Sequence, residues 1–453
     1  MKMKIAGLGV AAALACGATA ETPVVDGVIL RQEPGSCMVT VDYTLSEKAI
    51  VTVDFLTNGV SIGGAAFNNV AGDVHKVVEP GDRKIYWRPE KSWPNVRLRD
   101  IPITAKVTAW APSTPPNYML IRIDGGTSHL PASERTTYYE TAEALPFPGG
   151  VTNDLCKTDY LVFRKCPAAN VTYRRGVAPS EYNDSSKWMG HLVTLTNDFY
   201  IGVYEVTQRQ YEHFGTLKPR PSFFTEEYAT RPVEKVTVVD LRGWCNYDAN
   251  SNPANGKRKY WPESGHEILE NDSGTSNALW RVRAITGQMF DLPTDAQWEF
   301  AARAGKGGAV PDGLGLWAMP DGVHYTVRVG EYSRSSSSSD ITVPSASAVA
   351  TTPPDEGGTA KVGSYKPNAW GIYDMTGNVF EWCLDHWEEF TAESLIDPLG
   401  PATPEDSQKS KNRVVRGGAW IVLYDQSTTN YRESKNGLGA ASNIGFRLCL
   451  TLP

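Results

Sequence analysis

Asp374-Met-Thr-Gly-Asn-Val-Phe-Glu-Trp382 is followed along the chain by Arg416-Gly-Gly-Ala-Trp420 and then by Asn443-Ile-Gly-Phe-Arg447. The first stretch sets two carboxylates, Asp374 and Glu381, around a Gly-Asn turn whose main-chain carbonyls are free to turn inward. Carboxylate and carbonyl oxygens on a bent loop are the ligands a hard divalent cation takes, which points to calcium. The same residues also read as a tight turn between aromatic core positions, with both carboxylates pairing to neighbouring Arg or backbone N–H groups.

Upstream lie Phe199-Tyr-Ile-Gly-Val-Tyr-Glu-Val-Thr-Gln208, then Arg231-Pro-Val-Glu-Lys-Val-Thr-Val-Val-Asp240 leading into Trp244-Cys-Asn246, and then Leu292-Pro-Thr-Asp-Ala-Gln-Trp-Glu-Phe-Ala-Ala-Arg303. Taken with the three C-terminal motifs, this ordered set resembles the formylglycine-generating enzyme (sulfatase-modifying factor) family, whose fold is a variant of the C-type lectin fold. The resemblance implies an α+β fold. It also implies a structural Ca²⁺ held by the side chains of Asp374 and Glu381 and the main-chain oxygens of Gly377 and Val379, with Asp374 standing where Asn is more usual.

Enzymes of that family oxidise a sulfatase cysteine with molecular oxygen and a copper ion held by two cysteines just after a Gly-Gly-Ser-aromatic motif. Soft Cu(I) requires thiolate ligands. The matching stretch here is Gly417-Gly-Ala-Trp-Ile-Val-Leu-Tyr-Asp-Gln-Ser427. Val422 and Ser427 occupy the two cysteine positions, and Ala419 occupies that of the active-site serine. Copper is therefore not expected, and no catalytic residue is assigned. The seven histidines are scattered without a helical i, i+3 or i, i+4 pair, so no substitute metal centre is legible.

In C-type-lectin-like domains the stretch that corresponds to 421–443 lines the ligand surface. Trp420, Tyr424, Asp425, Gln426, Asn430, Tyr431 and Arg432 offer aromatic platforms and polar donors for a glycan, peptide or protein ligand. The competing reading makes Trp420 and Tyr431 core residues and the rest solvated surface. Three functions follow: a non-catalytic binding module on a calcium-stabilised scaffold, a working formylglycine-generating oxidase, or a structural surface or adhesion protein.

Composition agrees with a multi-domain globular chain. Its 453 residues suggest two or three domains, and 41 Gly, 30 Pro and 13 Trp favour a loop-rich architecture over a helical one. A net charge of −7 gives no electrostatic footprint for nucleic acid. Lys2 and Lys4, the apolar run Ile5 to Ala15 and Ala18-Thr-Ala20 read as a signal peptide over 1–20, so the protein is expected to be exported: periplasmic, secreted or at the cell surface. A lipoprotein reading of Cys16 is the alternative. No other stretch is long and apolar enough to span a bilayer.

Residues 21–112 alternate apolar and polar side chains, as in Met38 to Leu45, Ala49 to Phe55 and Ile103 to Trp110, which predicts an immunoglobulin- or fibronectin-like β-sandwich. A proline-rich linker over 113–118 leads into a sulfatase-modifying-factor-like domain over 119–453, with inserts near 250–288 and 305–360. Within it, helices are expected over Thr207 to Phe214, Val238 to Asp248 and from the capping box Thr294-Asp-Ala-Gln297. Cys156 and Cys166 flank one short segment and are candidates for a local disulfide. The resemblance suggests a second bridge, Cys245 to Cys449, although Cys449 falls one residue late in its strand. Buried reduced thiols are the alternative for Cys245, Cys383 and Cys449.

Overall fold

The computed structural model describes residues 22–32, 34–63, 69–92, 102–125, 130–176, 190–215, 220–243, 277–305, 358–364, 367–400, 412–420, 426 and 429–453. The signal-peptide reading, Trp244, Cys245, Val422, Tyr424, Asp425, Ser427 and most of both inserts lie outside them.

Period-two alternation builds the N-terminal strands. Val39–Leu45 lies between Val25–Gln32 and Gly81–Trp87, all antiparallel, and Val70–Gly72 closes that sheet. Ala49–Thr57 pairs with Ile103–Trp110, Val60–Ser61 and Val77–Val78 in the second. Val39, Val41, Tyr43 and Leu45 from the first sheet share one core with Val51, Val53 and Phe55 from the second. Phe55 stacks on Trp87 with ring centroids 4.0 Å apart.

Five antiparallel strands make the main C-terminal sheet, in the order Thr136–Tyr139, Tyr118–Arg122, Tyr160–Cys166, Phe199–Gly202, Cys449–Thr451. The last strand of the chain thus pairs with one from its middle. One face, carrying Met119, Ile121, Leu161, Phe163 and Tyr200, is covered by the helices Gln208–Phe214, Val238–Arg242 and Ala278–Thr286. Phe199 and Ile201 on the opposite face meet the helix Asp295–Ala302. A second sheet orders Arg432–Asn436, Asn412–Arg416, Phe380–His386 and Ile444–Gly445, the last pair parallel.

The helix starts follow from their caps. Thr207, Thr237 and Thr294 each accept from the backbone N–H three residues on, and Gln210, Asp240 and Gln297 reach back to the cap N–H. The helix Asp295–Ala302 is buried on every side, not only on the face of Trp298, Ala301 and Ala302, because Asp295 and Glu299 are neutralised by interior arginines. The polar insert expected up to 288 ends earlier. Asn277 caps a helix over Ala278–Thr286 whose Ala278, Leu279 and Val282 enter the core, and Gly287 ends it at φ +66°.

Cys37, Cys156, Cys166, Cys383 and Cys449 are free thiols. The expected Cys156–Cys166 bridge is not made. Cys156 packs with Val162 and Val203, whereas Cys166 packs with Phe199 and Ile201, so strand geometry places the two thiols in separate clusters on one face of the sheet. Cys449 shares the cluster of Cys166, its thiol 3.6 Å from Gln297 Oε1. Among the described residues no helix is long and apolar enough to cross a membrane.

Phe163 stacks on Phe290 at 4.5 Å between the sheet and its helical cover. Phe163→Ala is expected to cost about 3–5 kcal/mol through the cavity it leaves. A lower urea midpoint at unchanged m-value would show this.

Candidate functional site

The loop that opens the first C-terminal motif is shaped by four left-handed residues: Gly371, Asp374, Gly377 and Asn378, with φ of +75°, +57°, +90° and +58°. These turns lay the loop against the Gly-Gly corner. Gly377 N–H donates to Gly417 O at 2.6 Å and Trp420 N–H to Asn378 O at 2.8 Å. Glu205, from the Tyr-Glu-Val-Thr motif, anchors the same loop from below. Its carboxylate accepts from Asn378 Nδ2 at 2.6 Å and from Val379 N–H at 3.3 Å.

Three carboxylates therefore gather around one guanidinium. Glu381 accepts from Arg447 Nη2 at 2.7 Å and from Arg447 Nε at 3.0 and 3.1 Å, and Trp298 Nε1 donates to it at 2.7 Å. Burial pushes the carboxyl of Glu205 well above the usual carboxylate range, and the charges of Asp374 and Glu381 add to that. Asp374 is raised to about 6, first by burial, while the Gly363 N–H that donates to Oδ2 at 2.6 Å and the charge of Arg447 act the other way.

Asp374 fits a hard cation, because its Oδ1 is buried without a hydrogen-bond partner. Glu381, expected as the second side-chain ligand, has both oxygens engaged by Arg447 and Trp298. Among the described residues no three His, Cys, Asp or Glu side chains converge to hold a metal.

Behind the Gly-Gly corner Arg416 is enclosed by Asp295 and Glu299, each at 2.5 Å, and donates to Thr429 O at 3.1 Å and Tyr431 O at 2.9 Å. Burial acts to raise Asp295, but Arg416, Arg432 and Arg175 outweigh it and hold the carboxyl far below its usual range. Arg432 lies 2.9 Å from Asp295, with its guanidinium over Trp387 and Phe390 at 4.4 and 4.0 Å.

These contacts revise the expected ligand face. Trp420, Asn430 and Arg432 are buried, and Arg432 is drawn inward by the charge of Asp295. Gln426 and Tyr431 are half-buried and joined by a 3.1 Å hydrogen bond. Ala419 is core, and its methyl side chain places no hydroxyl at that buried position. Beside Trp420 the ring of Phe224 packs edge-on at 5.2 Å and in turn meets the exposed Phe223 at 5.1 Å. Glu234 fixes this pair, its Oε1 accepting from Phe223 N–H at 2.5 Å and Phe224 N–H at 3.0 Å.

The sequence reading assigned no role to Glu205, Glu234, Asp295, Arg416 or Arg447, yet each sits inside a quoted motif. Charged residues embedded in apolar runs such as Val203-Tyr-Glu-Val206 were the signal, since such residues are interior only when paired.

Burial raises the Glu234 carboxyl to about 7. The folded state then holds a proton that the unfolded chain releases near pH 4.3, so this group removes stability as pH rises from about 4 to about 7. Relative to the parent, Glu234→Gln is expected to gain roughly 2 kcal/mol between pH 5 and pH 8. Urea melts across that range measure the difference.

The family description "Sulfatase-modifying factor enzyme 1-like domain" matches residues 172–452. The chain is 33% identical over 271 residues to the chaperone protein LppX of Paenibacillus barcinonensis, a match that takes in 57% of this chain and 81% of that one. With the formylglycine-generating enzyme of Bos taurus it shares 32% identity over 273 residues, 55% of this chain and 64% of the bovine protein. Among solved structures, Treponema denticola variable protein 1 aligns with a TM-score of 0.38 at 24% identity, covering 65% of this chain and 96% of that one.

Proposed function

Since the chain belongs to the family of sulfatase-modifying factor enzyme 1-like domains, with the α+β fold of formylglycine-generating enzymes, we propose that it is an exported, non-catalytic member that uses the scaffold as a binding module. The observation that carries this reading is chemical. Val422 and Ser427 stand where the family's copper-binding cysteines stand, and neither side chain is a soft ligand. The four buried thiols among the described residues do not replace them. Burial raises Cys156 to about 12 and lifts Cys166, Cys383 and Cys449 well above the usual thiol range, so each stays a protonated, enclosed thiol at neutral pH.

The scaffold itself is retained, with the Asp374 loop pinned to the Gly-Gly corner as described above. Among the described residues, the half-buried Gln426 and Tyr431 and the exposed Phe223 border that corner where a ligand would lie. One relative of this chain bears the name of a chaperone, which favours a polypeptide ligand over a glycan. Calcium belongs to this reading as a structural ion on Asp374 and the carbonyls of Gly377 and Val379. What supports it is the orphaned Oδ1 of Asp374, and Glu381 is left to Arg447.

A sulfatase-motif peptide incubated with the mature protein, copper, oxygen and a reductant is expected to keep its cysteine, as judged by mass spectrometry beside an active enzyme. Conversion to formylglycine would overturn the reading in favour of a working oxidase. For calcium, the melting temperature is expected to rise with added Ca²⁺ and fall with chelator, because an ion bound only to the native state must stabilise it. An unchanged melt in both would remove the ion from the account.

A further inference from the structure

His75 sits where the N-terminal sandwich meets the five-stranded sheet. Its backbone is left-handed, φ +58°, a conformation uncommon outside glycine. That turn aims both its carbonyl and its ring at one residue of the other sheet. Tyr138 N–H donates to His75 O at 2.9 Å, and His75 Nδ1 lies 2.9 Å from Tyr138 O. The His75 N–H donates back into the sandwich, to Val51 O at 2.6 Å. The imidazole stacks on the buried ring of Tyr139 at 4.5 Å. Nε2 is buried without a hydrogen-bond partner, so the geometry is that of a neutral ring with its proton on Nδ1.

From these contacts we infer that His75 is an acid-sensitive clasp that holds the β-sandwich to the sulfatase-modifying-factor-like domain at neutral pH and releases it in mild acid. A proton on Nε2 would be a charge in a dry site with no acceptor, and the clasp must open to hydrate it. The neighbours do not offset that cost. Val51 and Tyr139 bring no charge, the Asp73 carboxylate accepts from Lys84 N–H at 3.3 Å, and Lys76 is exposed. Just past the facing strand Glu140 lies 3.9 Å from Lys106 at the surface, a contact worth little by itself.

Burial lowers the folded imidazole from 6.5 to about 4, with the hydrogen bond to Tyr138 acting the other way. An opened His75 regains its ordinary value. The opening equilibrium is then expected to rise about 30-fold between pH 7.5 and pH 5.

The test is hydrogen exchange on the full mature chain, with rates corrected for the intrinsic effect of pH. The Tyr138 amide, which donates across the junction to His75 O, is expected to lose protection by about that factor, while the core strand Phe380–His386 keeps its own. His75→Asn keeps a side-chain donor and tolerates the left-handed backbone, and it is expected to abolish the pH dependence. Equal protection at both pH values, a loss shared with Phe380–His386, or an unchanged pH response in His75→Asn would overturn the proposal. NMR titration of the parent imidazole judges it without any variant: a midpoint below about 5 supports the clasp, and one near 6.5 ends it.

Discussion

Arg416 lies in the dry interior between Asp295 and Glu299, and much of the C-terminal half of the chain is arranged around satisfying it. A buried guanidinium is tolerated only when its N–H groups find partners, because desolvation costs several kcal/mol that the attraction must repay. Asp295 and Glu299 are four residues apart on one helix and so present adjacent carboxylates. The capping box at Thr294 fixes where that helix starts, the strand Asn412–Arg416 must end at the guanidinium, and Thr429 and Tyr431 must bring their carbonyls to it. Removing one partner leaves an uncompensated charge, which is why the helix, the second sheet and the loop before Arg432 form one unit.

Arg447 repeats the device closer to the candidate site. Its guanidinium answers Glu381 and reaches the carbonyls of Gly202 and Tyr373, so the last motif of the chain is locked to the five-stranded sheet and to the Asp374 loop. Trp298 bridges the two networks, with Nε1 on Glu381 and its ring 5.5 Å from the guanidinium of Arg416. A scaffold tied together this way keeps its shape whatever stands in the loop after Trp420. That independence separates the fold from the chemistry it carries elsewhere.

Strands of the sandwich, the starts of the helices after Thr207 and Thr294 and the centrality of the Asp374 loop were legible in the sequence, since period-two alternation, capping boxes and Gly-Asn turns are local properties. The helix Ala278–Thr286 was not. It borders a polar stretch, and its apolar face is short, so it gains its stability from packing under the main sheet. The cysteine pairing was equally illegible, because whether two thiols meet depends on which cluster of the sheet each one enters.

The ligand face shows the same division. Polarity in Asn430 and Arg432 suggested a surface, and only the fold revealed that Asp295, remote in sequence, draws Arg432 inward. By itself the sequence determined the family of the fold, the strand and cap pattern, and that Val and Ser, not Cys, stand at 422 and 427, because each is written in residue identity and spacing along the chain. Tertiary structure alone decided which charges are interior pairs, that Glu381 is held by Arg447, and that His75 faces Tyr138. Those outcomes depend on which distant groups folding brings within hydrogen-bonding reach, a quantity that local periodicity does not contain.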